Sequence, residues 1–214
     1  VSMGNRTHTF EPGGYYHIYN RGVEKRRIFL DDADYRRFLT RLAYYQQIDP
    51  PLPFSRTDFA LQDRVSPLHF DIVAYALMPN HFHLLIHVLE GGDIPAALAA
   101  FLNSYTKYFN TRYDRVGSLF QGVFRSVDIR SDEQLVHLVR YILLNPFVAR
   151  LEDQIGIYPW TSYAATIEAS TEPSLCNPKI IQDYFSTTDQ LKAFLANYAD
   201  FARELDRVQH LAFD

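Results

Sequence analysis

Two histidines separated by one apolar residue, His81-Phe82-His83, stand in a run of strand formers, Met78-Pro79-Asn80-His81-Phe82-His83-Leu84-Leu85-Ile86-His87-Val88. In a strand, successive side chains point to opposite faces. Phe82, Leu84, Ile86 and Val88 therefore share a face that reads as core, and His81, His83, Leu85 and His87 share the other. His81 and His83 lie about 7 Å apart along such a strand, close enough for two imidazoles to meet on one metal ion. Paired strand histidines also occur as hydrogen-bonded, partly buried residues, so the pair needs partners from elsewhere to become a site. His87, about 20 Å of strand rise from His81, is out of range of the same ion.

A second constellation follows later. Ser131, with Asp132 and Glu133 after it, reads as a capped helix start. Leu135, Leu138, Val139 and Ile142 recur at i, i+3, i+4 and i+7 and form a buried stripe. His137, Tyr141 and Asn145, spaced by four, share another stripe. Pro146 predicts a helix end near Asn145. A tyrosine on a helix is commonly a packing residue, and an asparagine before proline is commonly a cap. The combination of a His-apolar-His strand with a Tyr-x-x-x-Asn helix is much rarer than either part. Tyr105 and Tyr108, on an earlier helical stretch, have no asparagine one turn on.

The elements that must position these residues can be read in order. Gly13-Gly14 leads into a strand at Tyr15-Tyr16-His17-Ile18-Tyr19-Asn20, closed by Arg21-Gly22 and followed by a basic cluster at Lys25, Arg26 and Arg27. Asp31-Asp32 opens a helix whose inward stripe is Tyr35, Phe38, Leu39 and Leu42. Residues 48–67, with four prolines, read as a long connection. Leu68 to Leu77 is a second strand, and a turn at Met78-Pro79-Asn80 returns it as the histidine strand. Asp93 caps a helix from Ile94 to about Arg112, and Val123 to Ile129 forms a fourth strand. The order strand, helix, strand, strand, helix, strand implies an α+β fold, the ferredoxin-like split βαβ sheet with two helices on one face. The second face of the histidine strand is then free for the Tyr141 helix. Tyr158-Pro159-Trp160-Thr161-Ser162-Tyr163 reads as a docking anchor, and residues 177–210 as one or two further helices.

The chain has 214 residues, 47% hydrophobic, with 15 Tyr and 16 Phe, the composition of a folded protein. Its one cysteine, Cys176, excludes an intrachain disulfide and fits a reducing cytoplasm. No signal peptide and no apolar run near 18 residues is visible, so neither secretion nor membrane spanning is expected. The net charge of −4 argues against a nucleic-acid partner until its distribution is considered. Residues 151–214 carry 4 Lys/Arg against 10 Asp/Glu, whereas residues 101–150 carry 7 against 4.

The sequence resembles the single-tyrosine HUH transposases, above all the REP-associated tyrosine transposases (repetitive extragenic palindrome). The resemblance is carried by Tyr16-His17-Ile18-Tyr19-Asn20-Arg21-Gly22, Ala76-Leu77-Met78-Pro79-Asn80-His81-Phe82-His83-Leu84-Leu85, Gly117-Ser118-Leu119-Phe120-Gln121-Gly122 and Arg140-Tyr141-Ile142-Leu143-Leu144-Asn145-Pro146, with Pro159-Trp160-Thr161-Ser162-Tyr163 beyond them. Leu85, where a third histidine would stand, sets the chain apart from the histidine-triad nucleotide hydrolases. The resemblance implies a catalytic domain over residues 10–168, an acidic helical extension over 169–214, and a divalent metal, Mg²⁺ or Mn²⁺, held by His81, His83 and Asn145. It implies Tyr141 as the nucleophile on a phosphodiester of hairpin-containing single-stranded DNA, giving a 5′-phosphotyrosine and a free 3′-hydroxyl. Arg21, Lys25, Arg26, Arg27, Lys107, Arg112 and Arg115 are the candidate backbone contacts. Phe120 and Val123 stand where relatives commonly carry Trp and Arg, and Arg125 is the candidate substitute for that arginine. A monomer or a homodimer is expected. The alternatives are a non-catalytic nucleic-acid-binding descendant of the same fold and a metal-dependent nuclease that forms no covalent intermediate.

Overall fold

The computed structural model describes residues 9–50, 54, 67–167 and 175–198. Strand and helix alternate as the sequence pattern requires: β1 (Tyr15–Arg21), α1 (Asp32–Tyr45), β2 (Phe70–Met78), β3 (His81–Val88), α2 (Ile94–Arg112), β4 (Arg125–Ile129) and α3 (Asp132–Val148). The strands make one antiparallel sheet in the order β2-β3-β1-β4. That order arises when the first strand inserts between the third and the fourth, the connectivity of a split βαβ unit. Asp31, Asp93 and Ser131 each cap their helix by accepting the amide hydrogen three residues on.

The pleat divides the core in two. Tyr16, Ile18, Phe82, Leu84 and Ile86 bury against Phe38 and Leu42 of α1 and Leu98, Phe101 and Tyr105 of α2. The opposite face packs Val73, Ala74, Ala76 and Leu85 against Leu135, Val139, Ile142 and Leu143 of α3. A register shift between Ile72 and Ala74 lets the adjacent residues Val73 and Ala74 both join this second core. Helix α3 thus covers the face that α1 and α2 leave open.

Three boundaries differ from expectation. β2 runs from Phe70 to Met78 rather than from Leu68 to Leu77. β4 starts at Arg125 rather than Val123; Phe124 turns into the first core and Val123 stays exposed. Helix α3 runs through Pro146 to Val148 instead of stopping at Asn145. In the last turn the proline forfeits only one intrahelical bond, and burial of Pro146 and Phe147 carries the helix on. The Ala149 and Leu151 amides then close it on the carbonyls of Asn145 and Pro146.

The Tyr158–Tyr163 segment acts as the expected anchor. Trp160 stacks on Tyr35 at 4.6 Å, and its carbonyl accepts from Leu77 on the edge of β2. Two short helices follow, α4 (Tyr163–Ile167) and α5 (Lys179–Gln182), and residues 188–198 are helical. Ile181, Leu191 and Leu195 are buried in the second core beside α3. Of the expected long connection, residues 51–53 and 55–66 lie outside the described residues, as do residues 169–174 and 199–214 of the expected extension. No helix among the described residues is long and apolar enough to cross a membrane.

Because Ile142 is fully buried between α3 and the sheet, Ile142→Ala is expected to cost about 2–5 kcal/mol of stability, measured by urea denaturation. A cost below about 1 kcal/mol would mean that α3 is not packed as described.

Candidate active site

The register of β1 on β3 builds the site. Arg21 pairs with His81, Tyr19 with His83, His17 with Leu85 and Tyr15 with His87. On β4, Arg125 faces Tyr19 and Val127 faces His17. Cross-strand partners point to one side of the sheet, so Arg21, Tyr19, His17, His81, His83 and Arg125 form a single surface on the side of α3.

His81 and His83 are anchored through the same ring nitrogen. The Nδ1 of His81 meets Asn80 Oδ1 at 2.7 Å. Asn80 commits its Nδ2 to the Lys25 carbonyl at 3.2 Å, so its oxygen must face His81, and His81 Nδ1 must carry the proton. A neutral His81 then has its lone pair on Nε2. Asn145 lies beside the same ring, where it favours the charged form of the imidazole. The Nδ1 of His83 meets His17 Nε2 at 2.9 Å, with the two rings stacked. One proton lies between them, and if His83 holds it, the His83 Nε2 is also left free. The His81 and His83 rings stand 5.0 Å apart and nearly perpendicular.

Burial holds these rings neutral. It pushes His17 down to about 4 and lowers His81, against the opposing effect of Asn145. His83 is driven well below the ordinary imidazole range by burial and then by the neighbouring His17 and His81. Neutral imidazoles are the metal-binding form. Among the described residues no three His, Cys, Asp or Glu side chains form a metal cage. The potential donors that lie near one another are the imidazoles of His81 and His83, with the amide of Asn145 beside His81. Such a mixed set of soft-to-hard donors suits Mn²⁺ or Zn²⁺ at least as well as Mg²⁺.

Tyr141 rises from α3 over this surface. Its ring lies edge-on to His83 at 5.4 Å and to His17 at 6.4 Å, and it is 50% exposed. It lines a cleft of about 430 Å³ with His81, His83, Tyr19, Arg21, Lys25, Gln121 and Arg125. The rival tyrosines lie on the other side of the sheet. Tyr105 is fully buried and donates to the Ile28 carbonyl at 2.6 Å, and Tyr108 donates to Asp34. Tyr19 takes their place as the second tyrosine within the cleft.

A strained turn closes the near end of the cleft. Glu24 and Lys25 both have left-handed backbones, φ 57° and 59°, a conformation that costs non-glycine residues of order 1–3 kcal/mol each. The turn aims the Lys25 carbonyl at Asn80. Gly22 permits it, since a Cβ there would lie 2.2 Å from the Arg26 carbonyl oxygen.

The candidate basic residues divide into three groups. Arg21, Lys25 and Arg125 line the Tyr141 cleft, and Arg27 lines a neighbouring depression beside His81. Arg26 is paired with Glu24, and Arg115 bonds Asn110 over the Phe109 ring while feeling the charge of Arg26. Lys107 and Arg112 lie on the far side of the helix layer, and Arg112 is held by Asp31 and Asp34 at 2.6 and 2.9 Å. His87 stacks on Tyr15 at 4.7 Å, away from the histidine pair. His17 and Asn80 are the residues that sequence reasoning passed over. Alternation along β1 put His17 on a face, but only the register shows that this face meets His83.

No protein-family model matches the chain. A curated protein of Haemophilus influenzae (strain ATCC 51907 / DSM 11121 / KW20 / Rd), named "Putative REP-associated tyrosine transposase", is 26% identical over 114 residues. The match spans 49% of this chain and 65% of that protein, just under two thirds of its length. A solved structure of a REP-associated tyrosine transposase bound to a REP hairpin aligns with a TM-score of 0.55, covering 80% of this chain and 89% of that one at 18% identity. The chain is therefore similar in sequence to a REP-associated tyrosine transposase and has a related fold.

The anchoring predicts that His81 is protonated on Nδ1 at neutral pH. Long-range ¹⁵N–¹H spectra should show a protonated Nδ1 and an unprotonated Nε2 for this ring, and Asn80→Ala should mix the two tautomers. A protonated Nε2 in the parent would contradict the assignment.

Proposed function

We propose that this chain is a tyrosine transposase of the HUH type that cleaves and rejoins single-stranded DNA at or near hairpins. The observation that carries the proposal is the placement of Tyr141, half-exposed on α3, with its ring 5.4 Å from His83 in a cleft that also holds Arg21, Lys25 and Arg125. The sequence likeness to a REP-associated tyrosine transposase supports it.

A divalent ion would be held by Nε2 of His81, Nε2 of His83 and the side-chain oxygen of Asn145. When bound, it supplies Lewis-acid stabilisation of charge on the scissile phosphate. The remaining work falls to the chain. Arg21, Lys25 and Arg125 hold the backbone on either side of the scissile bond through charge-assisted contacts. A tyrosine hydroxyl ordinarily titrates near pH 10, so the attack of Tyr141 includes loss of its proton to water as the bond forms. The new bond joins Tyr141 Oη to phosphorus, and the bond that breaks is to the 3′ oxygen, which leaves as a hydroxyl after taking up a proton. A 3′-hydroxyl attacking the phosphotyrosine reverses the step, so the strand is rejoined or transferred rather than merely cut. His17 holds the His83 ring through Nδ1, and Asn80 does the same for His81, fixing the direction of both Nε2 lone pairs.

The test is incubation with end-labelled single-stranded hairpins and Mn²⁺. A covalent protein–DNA adduct should form and be absent in Tyr141→Phe. Cleavage that persists in Tyr141→Phe would point to a nuclease without a covalent intermediate, and binding without cleavage to a non-catalytic descendant. If His17 orients His83, then His17→Leu should weaken Mn²⁺ binding about 10–100-fold in calorimetric titration. An unchanged affinity would deny His17 that role.

A further inference from the structure

The outer surface of the helix layer, on the side of the sheet away from Tyr141, carries a groove of about 1470 Å³ between α1 and α2. It exceeds the size of an ordinary small-molecule pocket. Arg37 and Arg41 enter it from α1, and Ser104, Lys107 and Tyr108 from α2.

Arg41 is the unusual residue. It is only 8% exposed, yet its one side-chain hydrogen bond to a described residue is from Nε to Ser104 Oγ at 3.0 Å. Among the described residues its buried Nη1 has no partner. A guanidinium withdrawn from water ordinarily finds acceptors or an anion. Here burial, and then the charge of Arg37, hold Arg41 down to about 10. The two arginines crowd the same two rings: Arg41 lies 4.5 Å from Phe54 and 5.0 Å from Tyr108, and Arg37 lies 5.6 Å from each. Among the described residues, no carboxylate makes an ion pair with Arg37, Arg41 or Lys107. Arg112, at the end of the same groove, shows what a purely structural arginine looks like in this fold, with both Asp31 and Asp34 on its fork.

We infer that this groove binds the phosphodiester backbone of nucleic acid, at a second site distinct from the Tyr141 cleft. A phosphate between Arg37 and Lys107 lies beside the Arg41 guanidinium and relieves the repulsion between the two arginines. The half-buried rings of Tyr45, Phe54 and Tyr108 line the groove beside it. The inference rests on the nucleic-acid reading proposed above and adds to it a separate place where the strand is gripped.

The test uses the full chain and fluorescence anisotropy, with a DNA hairpin and an unpaired strand of equal length as separate probes. The double variant Arg37→Ala/Lys107→Ala changes only exposed groove residues and leaves the core intact. It should weaken binding about tenfold and reduce the slope of log affinity against log salt by about two. Loss on the hairpin alone assigns the groove to the duplex stem, and loss on both probes assigns it to backbone phosphate whatever the pairing. Arg41→Met should weaken binding as well, with circular dichroism checking that it folds. Parent affinity and parent salt slope in the double variant overturn the inference. If the Tyr141 adduct forms in that case, the groove inference falls alone. If the parent forms no adduct and binds neither probe, the nucleic-acid reading fails and the groove inference with it.

Discussion

A slip of one residue in the pairing of β1 with β3 would turn His17, Tyr19 and Arg21 into the aromatic core under α1 and α2, because side chains alternate with a period of two. The observed register instead sets Tyr19 opposite His83 and Arg21 opposite His81. Every feature of the candidate site depends on that choice. It places His17 Nε2 within 2.9 Å of His83 Nδ1 and sets Arg21 beside His81 in the cleft. It also leaves Leu85 free to pack with α3, the helix that brings Tyr141. The register is fixed from the other side by Tyr16, Ile18, Phe82, Leu84 and Ile86, which have no place to go but the first core.

The two faces of the sheet do different electrostatic work. On the α3 side, burial favours neutral rings, and among the described residues no carboxylate acts on the three imidazoles that lie together. Anchors at Asn80 and His17 then turn a flexible pair of side chains into two directed nitrogen donors. On the α1–α2 side the charges are permanent. Arg112 is neutralised by Asp31 and Asp34, while Arg37 and Arg41 share two aromatic rings and each other's field. A net charge of −4 for the whole chain conceals both arrangements.

Periodicity made much of this legible. The strand around His81 and His83, the caps at Asp93 and Ser131 and the stripe beneath Tyr141 all follow from local spacing, and the structure keeps each of them. What escaped was non-local. His17 lies 66 residues from His83, and no local pattern says which strand pairs with which. The bulge that sends Val73 and Ala74 to the same face breaks the alternation that sequence reading relies on. Pro146 reads locally as a stop, but burial of Phe147 outweighs one lost hydrogen bond in a last turn. Lys107 and Arg112 lie on a helix next to other basic segments in the chain, yet the topology carries them to the opposite side of the sheet from Tyr141.

The cleft contains two tyrosines, Tyr141 from α3 and Tyr19 from β1, and the account requires that only the first become linked to DNA. Proteolysis of the trapped protein–DNA adduct, followed by tandem mass spectrometry of the nucleotide-bearing peptide, distinguishes them. The modified residue should be Tyr141. A nucleotide on Tyr19, or on a tyrosine from the other face of the sheet, would contradict the assignment of α3 as the helix that carries the nucleophile.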